Sequence, residues 1–513
     1  MPKLKSVVKC LYVSAAGLSL FVAVGCGTGG SGGFLNNTEN FTNASLKGSY
    51  VYQLHGGDSF SLKPYREVGV FTADGAGNIT GGSDDASFNT TSSSAAVTGT
   101  YQIAADGTGS ITMTGVIGTF NLALTMVSSS KVYLIEADNA NTTFLGVNAS
   151  GIAELQDSAA IANTPIGSFA FRIHDEISGI SQVPASQVGA FTVPGSGVNG
   201  AMDQNAGGTF SNPNLTWTFN PPGALGRGTG TFLNASTSVT SNFFYYIVNS
   251  GKAALLMSDA GVVGSGVAEG QSGAIGNGLS GTYAFGSNGD DTNASSGLFG
   301  TVATVGEFTA TAGNISGVED SMVEGNLTSN STITSCYTAS PNGRVVVVSA
   351  TGNTCSSTVT QVFWMVNPNR AFFLDLNSSI FDDGSADLQT GTFSQSSMKG
   401  QFAMVMGGTD LTTEQLGLAP QLLTRVGVVQ LDGAGRVTIN ELANSSDPNV
   451  GIVNAPGILS GTYSVSSNGR ITGGAANGGG GFDFVMYGVS GTQAYALQAD
   501  PGVITSGTLE RQP

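Results

Sequence analysis

The sequence predicts an all-β protein made of tandem antiparallel barrels. Three observations carry that prediction: the composition, an apolar period of two, and a fourfold internal repeat. Of 513 residues, 76 are Gly and only 10% are charged. Such a composition does not support long helices. It suits many short strands joined by Gly- and Asn-rich turns. An apolar fraction of 40% excludes wholesale disorder and allows real cores.

The period of two shows at the start of each repeat. Tyr50, Tyr52 and Leu54 share one face, while Ser49 and Gln53 point the other way. Phe169, Phe171 and Ile173 repeat the pattern, as do Phe402, Met404 and Met406. Alternation of this kind is a strand with one buried face.

Four columns of residues recur in the same order. The first is Gly48, Gly167, Gly281 and Gly400, spaced 119, 114 and 119 residues apart, each just before an aromatic strand. The second is Val68-Gly69, Val188-Gly189, Val305-Gly306 and Val426-Gly427. The third ends an apolar run with an acid, read as Asp138, Asp259, Asp375 and Asp500. The fourth closes each unit with a glutamine, read as Gln156, Gln271, Gln395 and Gln512. Self-similarity at a fixed period means tandem units. The expected domains are 45–160, 161–275, 276–396 and 397–513, each able to fold on its own.

Unit one reads as about eight strands: 48–54, 66–73, 77–83, 97–104, 109–115, 118–127, 131–137 and 143–156. Its links are mostly of hairpin length, so sequential antiparallel pairing is expected rather than parallel crossovers. Eight sequential strands hide their edges by closing into an up-and-down barrel. An immunoglobulin-like β-sandwich is the alternative. It needs Greek-key crossings, and no long connection stands where they would run.

Residues 1–25 read as a signal peptide. Lys3, Lys5 and Lys9 precede the apolar stretch LYVSAAGLSLFVAVG, which is followed by Cys26. The stretch is short of the ~20 residues of a spanning helix. Ala23-Val24-Gly25-Cys26 resembles the lipobox of bacterial lipoproteins, with Ala23 where Leu is usual. The resemblance implies acylation of Cys26, removal of residues 1–25, and a lipid anchor of more than one chain, which holds stably. Residues 26–44, beginning CGTGGSGG, then read as a flexible tether. Gly27 is not Asp, so the inner-membrane retention signal of enteric lipoproteins is absent. The expected location is the outer membrane or the cell surface. An outer-membrane barrel is not expected, because the chain ends in LERQP without a terminal aromatic.

Without residues 1–25 the chain keeps 14 Lys and Arg against 34 acids, a net charge of −20. An acidic surface repels phosphate backbones, so nucleic acid is not an expected partner.

The hairpin rhythm of Gly48-Ser49-Tyr50 and Gly99-Thr100-Tyr101 resembles the meander of avidin-like and lipocalin-like barrels. The biotin cage of avidins needs several Trp, and Trp217 and Trp364 lie in different repeats, so biotin binding does not carry over.

Asp74-Gly75-Ala76-Gly77-Asn78 could be a calcium loop, a phosphate loop or a turn. Two of the four repeats lack its acid and all keep a Gly, so a hairpin turn is expected. Calcium at Asp74, helped by Asp84 and Asp85, is a weaker reading. His55 and His174 fall in one column of two different units and read as solvated loop residues. The acid column offers one carboxylate per unit, where a glycosidase needs two that face each other. Those acids are expected to cap turns. No catalytic residue, cofactor site or metal site is assigned. Cys336 and Cys355 are expected to form a disulfide. Cys336 opens the fourth strand, Asn342-Gly343 turns the chain, and Cys355 returns to the same end.

The connections 55–66, 174–187, 286–304 and 407–425 are long and differ in every unit, so they are candidate binding loops. Two functions follow. The first is a non-enzymatic surface protein that binds a glycan, a small hydrophobic ligand or a surface protein, or serves as a structural or adhesion protein. The second is a secreted hydrolase acting on polysaccharide through an acidic site.

Overall fold

The computed structural model describes residues 40–58, 63–88, 91–138, 146–177, 183–194, 197–291, 302–352, 354–412, 420–446, 452–454, 458–477 and 480–513. The signal peptide, Cys26 and most of the tether lie outside these residues. So do the centres of the long first connections.

Strands follow one another in hairpins, and the last returns to pair with the first. In barrel 3 the eight strands are Gly281–Asp291, Val302–Thr311, Asn314–Val323, Asn326–Ala339, Arg344–Thr351, Thr354–Asn367, Arg370–Asp375 and Ile380–Leu388, closed by the pairing Tyr283↔Leu388. Barrels 1, 2 and 4 close in the same way, with Tyr50↔Leu155, Phe169↔Gly270 and Phe402↔Arg511. In those three the fourth strand is broken in two. In barrel 1 its outer piece, Thr91–Ala96, pairs with the third strand, and Thr98–Ile103 continues the barrel. All four units are therefore up-and-down barrels, and the sandwich alternative is excluded.

Glycines of the first column sit where the chain enters each barrel. Their φ values run from +107° to +138°, a region that L side chains rarely adopt.

Barrel interiors are filled, as eight-stranded barrels of this size are. Barrel 2 is the most aromatic: Trp217 stacks on Phe191 at 4.4 Å and packs against Phe171, Phe232 and Phe243. Barrel 3 keeps an internal cavity of about 30 Å³, room for a water.

Outward faces bury the barrels against each other in a closed ring. Val51, Val68 and Val70 of barrel 1 pack on Tyr246, Val248, Ala254 and Leu256 of barrel 2. Ala170, Val188 and Ala190 of barrel 2 pack on Val362, Trp364, Phe372 and Leu374 of barrel 3. Ala284, Ala303 and Val305 of barrel 3 pack on Val485, Tyr487, Val489 and Leu497 of barrel 4. Ala403 and Val426 of barrel 4 complete the circuit on Ala123, Val127, Tyr133 and Ile135 of barrel 1. Each junction sets the first two strands of one barrel against the sixth and seventh of the next.

Two sequence columns change at this point. The glutamine that closes barrel 3 is Gln389, not Gln395. Gln156, Gln271, Gln389 and Gln512 each donate from Nε2 to two carbonyls of the following barrel, with Gln512 reaching Asp106 O and Met126 O of barrel 1. Gln395 instead bonds Tyr463 O within barrel 4. In the acid column Asp375 is out of register. Leu376 N bonds Thr360 O as Ala137 N bonds Asn121 O, so Asn377 is the counterpart of Asp138. Asp138 and Asp259 accept the backbone and side-chain amides of Asn121 and Asn242, the capping expected of them.

Candidate functional site

The ring encloses a cavity of about 420 Å³ lined by all four barrels. It forms where the outward faces of the first, second, seventh and eighth strands turn toward the centre. On those strands the outward residues shift from small apolar ones at the junctions to polar and charged ones.

One wall is a belt of alternating charges. Lys131 pairs with Glu510 across the barrel 4–barrel 1 junction. Lys252 Nζ reaches Glu154 at 2.6 Å across the next, and Arg370 Nε reaches Glu269 at 2.8 Å across the third. Arg370 also holds Asp387 at 2.9 Å, and Tyr495 donates to Asp387 at 2.5 Å across the fourth. Gln493 stands where the other barrels have Lys or Arg, since it pairs with Glu510 as Lys131 pairs with Glu154.

Deeper in the cavity lie both histidines of the chain, which corrects the loop reading. His55 and His174 are on first strands, in the pairs His55↔Ser150 and His174↔Ser265. His174 Nδ1 meets Asp383 Oδ2 at 2.8 Å, and Nε2 lies 3.7 Å from Asp290. Burial opposes its charge, but these two carboxylates outweigh it and raise the pKa to about 10. His55 goes the other way: the walls around it, and then the positive charges of Arg66, Arg172 and His174, lower its pKa, although its side chain stays exposed. Its surface faces the cavity, and its ring nitrogens make no hydrogen bond among the described residues. Arg172 Nη1 lies 3.2 Å from Asp383 Oδ1.

Other predicted sites resolve more simply. Asp74 accepts Ala76 N, Asn78 N and Asn78 Nδ2, so its loop is a turn, and those bonds hold its pKa down at about 2. Among the described residues no group of three His, Cys, Asp or Glu is placed to hold a metal ion. Cys336 and Cys355 are bonded, with Cα atoms 5.8 Å apart. Asp84 is not a calcium ligand but part of the barrel 1 core. Its carboxylate and that of Glu67 share the Tyr52 hydroxyl, 2.6 Å from Glu67 and 3.4 Å from Asp84, and Tyr65 donates to Glu67 as well. Both acids are fully buried. Asp85 faces outward into the barrel 1–barrel 2 junction, bound by Arg227.

Sequence reasoning missed the cavity because its walls come from residues more than a hundred positions apart. A signal was available in the sixth strands. Phe243–Val248 and Val362–Val366 are continuous apolar runs, and a strand without alternation has both faces buried.

Fold and cavity together define a class: four filled β-barrels closed in a ring about a charge-lined centre, distinct from barrels that hold a ligand inside. No family model matches the chain, and no curated protein does. Solved structures match the chain at low overlap. Transferrin binding protein B of Haemophilus parasuis, as a point mutant, is 11% identical over 75% of this chain and 84% of that one, with a TM-score of 0.20. Transferrin binding protein B of Neisseria meningitidis is 9% identical over 74% and 83%, with a TM-score of 0.21. Overlap at that level fixes neither a shared arrangement of barrels nor a shared activity.

Proposed function

We propose that this is an exported, lipid-anchored, non-enzymatic binding protein of the outer membrane or cell surface, with its ligand site in the central cavity. The observation that carries the reading is the cavity itself, which concentrates five of the 14 Lys and Arg outside residues 1–25 in an otherwise acidic chain. Clefts of 300–1,000 Å³ with a few convergent polar groups are ordinary ligand sites. The charged side chains on the cavity walls support a glycan or another small polar molecule as ligand, and the barrel interiors are already packed with side chains. Glu67 and Asp84, whose carboxylates share the Tyr52 hydroxyl, are sealed inside barrel 1, out of reach of a polysaccharide.

Two experiments test the two halves of the proposal. Palmitate should label the wild type and not Cys26→Ala; equal labelling would remove the anchor. On an array of glycans and small polar molecules, a ligand retained by the wild type should be lost by Ser265→Trp, which fills the cavity. Retention by both would move the site elsewhere.

A further inference from the structure

We infer that the central cavity binds a small oxyanion, a carboxylate or phosphate group, between Arg172 and His55. The inference rests on the cavity being the binding site and adds the chemistry of what enters it.

The two carboxylates beside Arg172 and His174 are already engaged. Asp383 receives His174 and Arg172, and Asp290 faces His174. Ser186 Oγ lies 3.2 Å from His174 Nδ1 and belongs to the same cluster. Donors are in surplus. A guanidinium carries five N–H groups in a fixed fork, and among the described residues Arg172 meets an acid only through Nη1. Its side chain keeps 32% of its surface exposed. His55, on the neighbouring barrel, has no bond within the described protein, and a neutral imidazole offers one N–H. A forked cation with unused donors, beside an imidazole N–H, is complementary to a planar or tetrahedral oxyanion. The opposite walls, with Gly286, Asn288 and Gly407, leave room for the rest of such a molecule.

Calorimetric titration of the purified protein with inorganic phosphate, with acetate and with neutral maltose, at constant ionic strength, tests this. Phosphate or acetate should bind the wild type, at least tenfold more weakly to Arg172→Met, and not at all to Ser265→Trp. Which anion binds tells a phosphate-bearing ligand from a carboxylate-bearing one. Should Arg172→Met not fold, Arg172→Lys keeps the charge without the fork and should bind with intermediate affinity. No oxyanion binding by the wild type, or binding that neither Arg172 variant changes, overturns the inference. Maltose binding that Ser265→Trp abolishes, without oxyanion binding, refutes the oxyanion but leaves the cavity as the site. Oxyanion binding that Ser265→Trp does not alter refutes both.

Discussion

Thr125 stands at the junction where the buried aspartate of the other three is missing. It pairs with Thr108 as Tyr246 pairs with Arg227, Trp364 with Arg344 and Tyr487 with Arg470. Those three aromatics donate to a buried aspartate of the preceding barrel, whereas the Thr125 hydroxyl is buried with no hydrogen-bond partner. A buried unsatisfied hydroxyl costs about 1–3 kcal/mol. Thr125→Val keeps the shape and removes that cost, so its melting temperature should rise; an unchanged or lower value would show that the hydroxyl is satisfied in solution. Glu67 is the second residue out of balance. Burial, and then the charge of Asp84, lift its pKa from 4.5 to about 8. A carboxyl with a raised folded pKa contributes stability that is complete below its unfolded pKa and is lost as pH rises through the folded one. Stability should therefore fall between about pH 4.5 and 8, and Glu67→Gln should flatten that fall and unfold later at pH 8. Equal pH profiles for the two proteins would contradict it. The equivalent position in barrel 2 is Gln187, which faces Ile173 as Glu67 faces Leu54. At this scale the sequence was partly legible. Asp138 and Asp259 were read correctly as caps, because an acid after an apolar run has little else to do. Asp375 and Gln395 were misread, since a column drawn by residue type cannot see a shift of two or six positions that strand pairing settles.

Strands were more legible than the contacts between them. Eight were expected in barrel 1 and eight form its wall, because a single buried face imposes a period of two. The short extra strand Thr91–Ala96 was missed: TSSSAA has neither alternation nor branched apolar residues, and it exists only by pairing with the third strand. The junction clamps were not legible at all. Arg227 grips Asp85 through Nε at 2.6 Å and Nη2 at 2.8 Å. Arg344 grips Asp203 and Arg470 grips Asp320 in the same forked way, and all three aspartates are fully buried. Each pair is separated by more than 140 positions, so no local pattern links the partners. At the fourth junction the set is Leu442, Thr108 and Thr125. Removing one partner of a buried ion pair strands the other charge and costs about 3–5 kcal/mol, whereas replacing both by apolar groups costs far less. Arg227→Met should thus destabilise strongly, and Asp85→Leu combined with Arg227→Met should recover most of the loss in thermal unfolding. A double variant less stable than the single one would show that the clamp contributes net stability.

The described residues form a ring whose four junctions set the same strands against each other, so each barrel carries two complementary flanks. One flank presents the aspartate of the third strand, the other the arginine and aromatic of the fifth and sixth. Barrel 2 has both, as Asp203 and as Arg227 with Tyr246; barrel 3 has both, as Asp320 and as Arg344 with Trp364. Barrel 1 has Asp85 but Thr108 and Thr125, and barrel 4 has Arg470 and Tyr487 but Leu442. The seam between barrels 4 and 1 is also where the two ends of the described chain meet, since Phe41 and Gln512 both pack on Gly107. Head-to-tail interfaces generate closed rings when the rotation between neighbours closes, and here it closes after four. An isolated barrel keeps its own closed sheet and filled core, but it exposes two apolar flanks that were buried. The prediction is specific to each unit. Residues 161–275 alone, and 276–396 alone, should fold with a β-type circular dichroism spectrum and assemble into tetramers. Residues 45–160 and 397–513, each lacking half of the clamp, should remain smaller alone. Mixed together, these two should associate weakly, through the clampless 4–1 seam. Native mass spectrometry and sedimentation velocity read all of this directly. Stable monomers of barrels 2 and 3 at high concentration would mean that the flanks are too weak to close a ring without the covalent connections. Unfolded single barrels would mean that the ring, rather than the barrel, is the unit that folds.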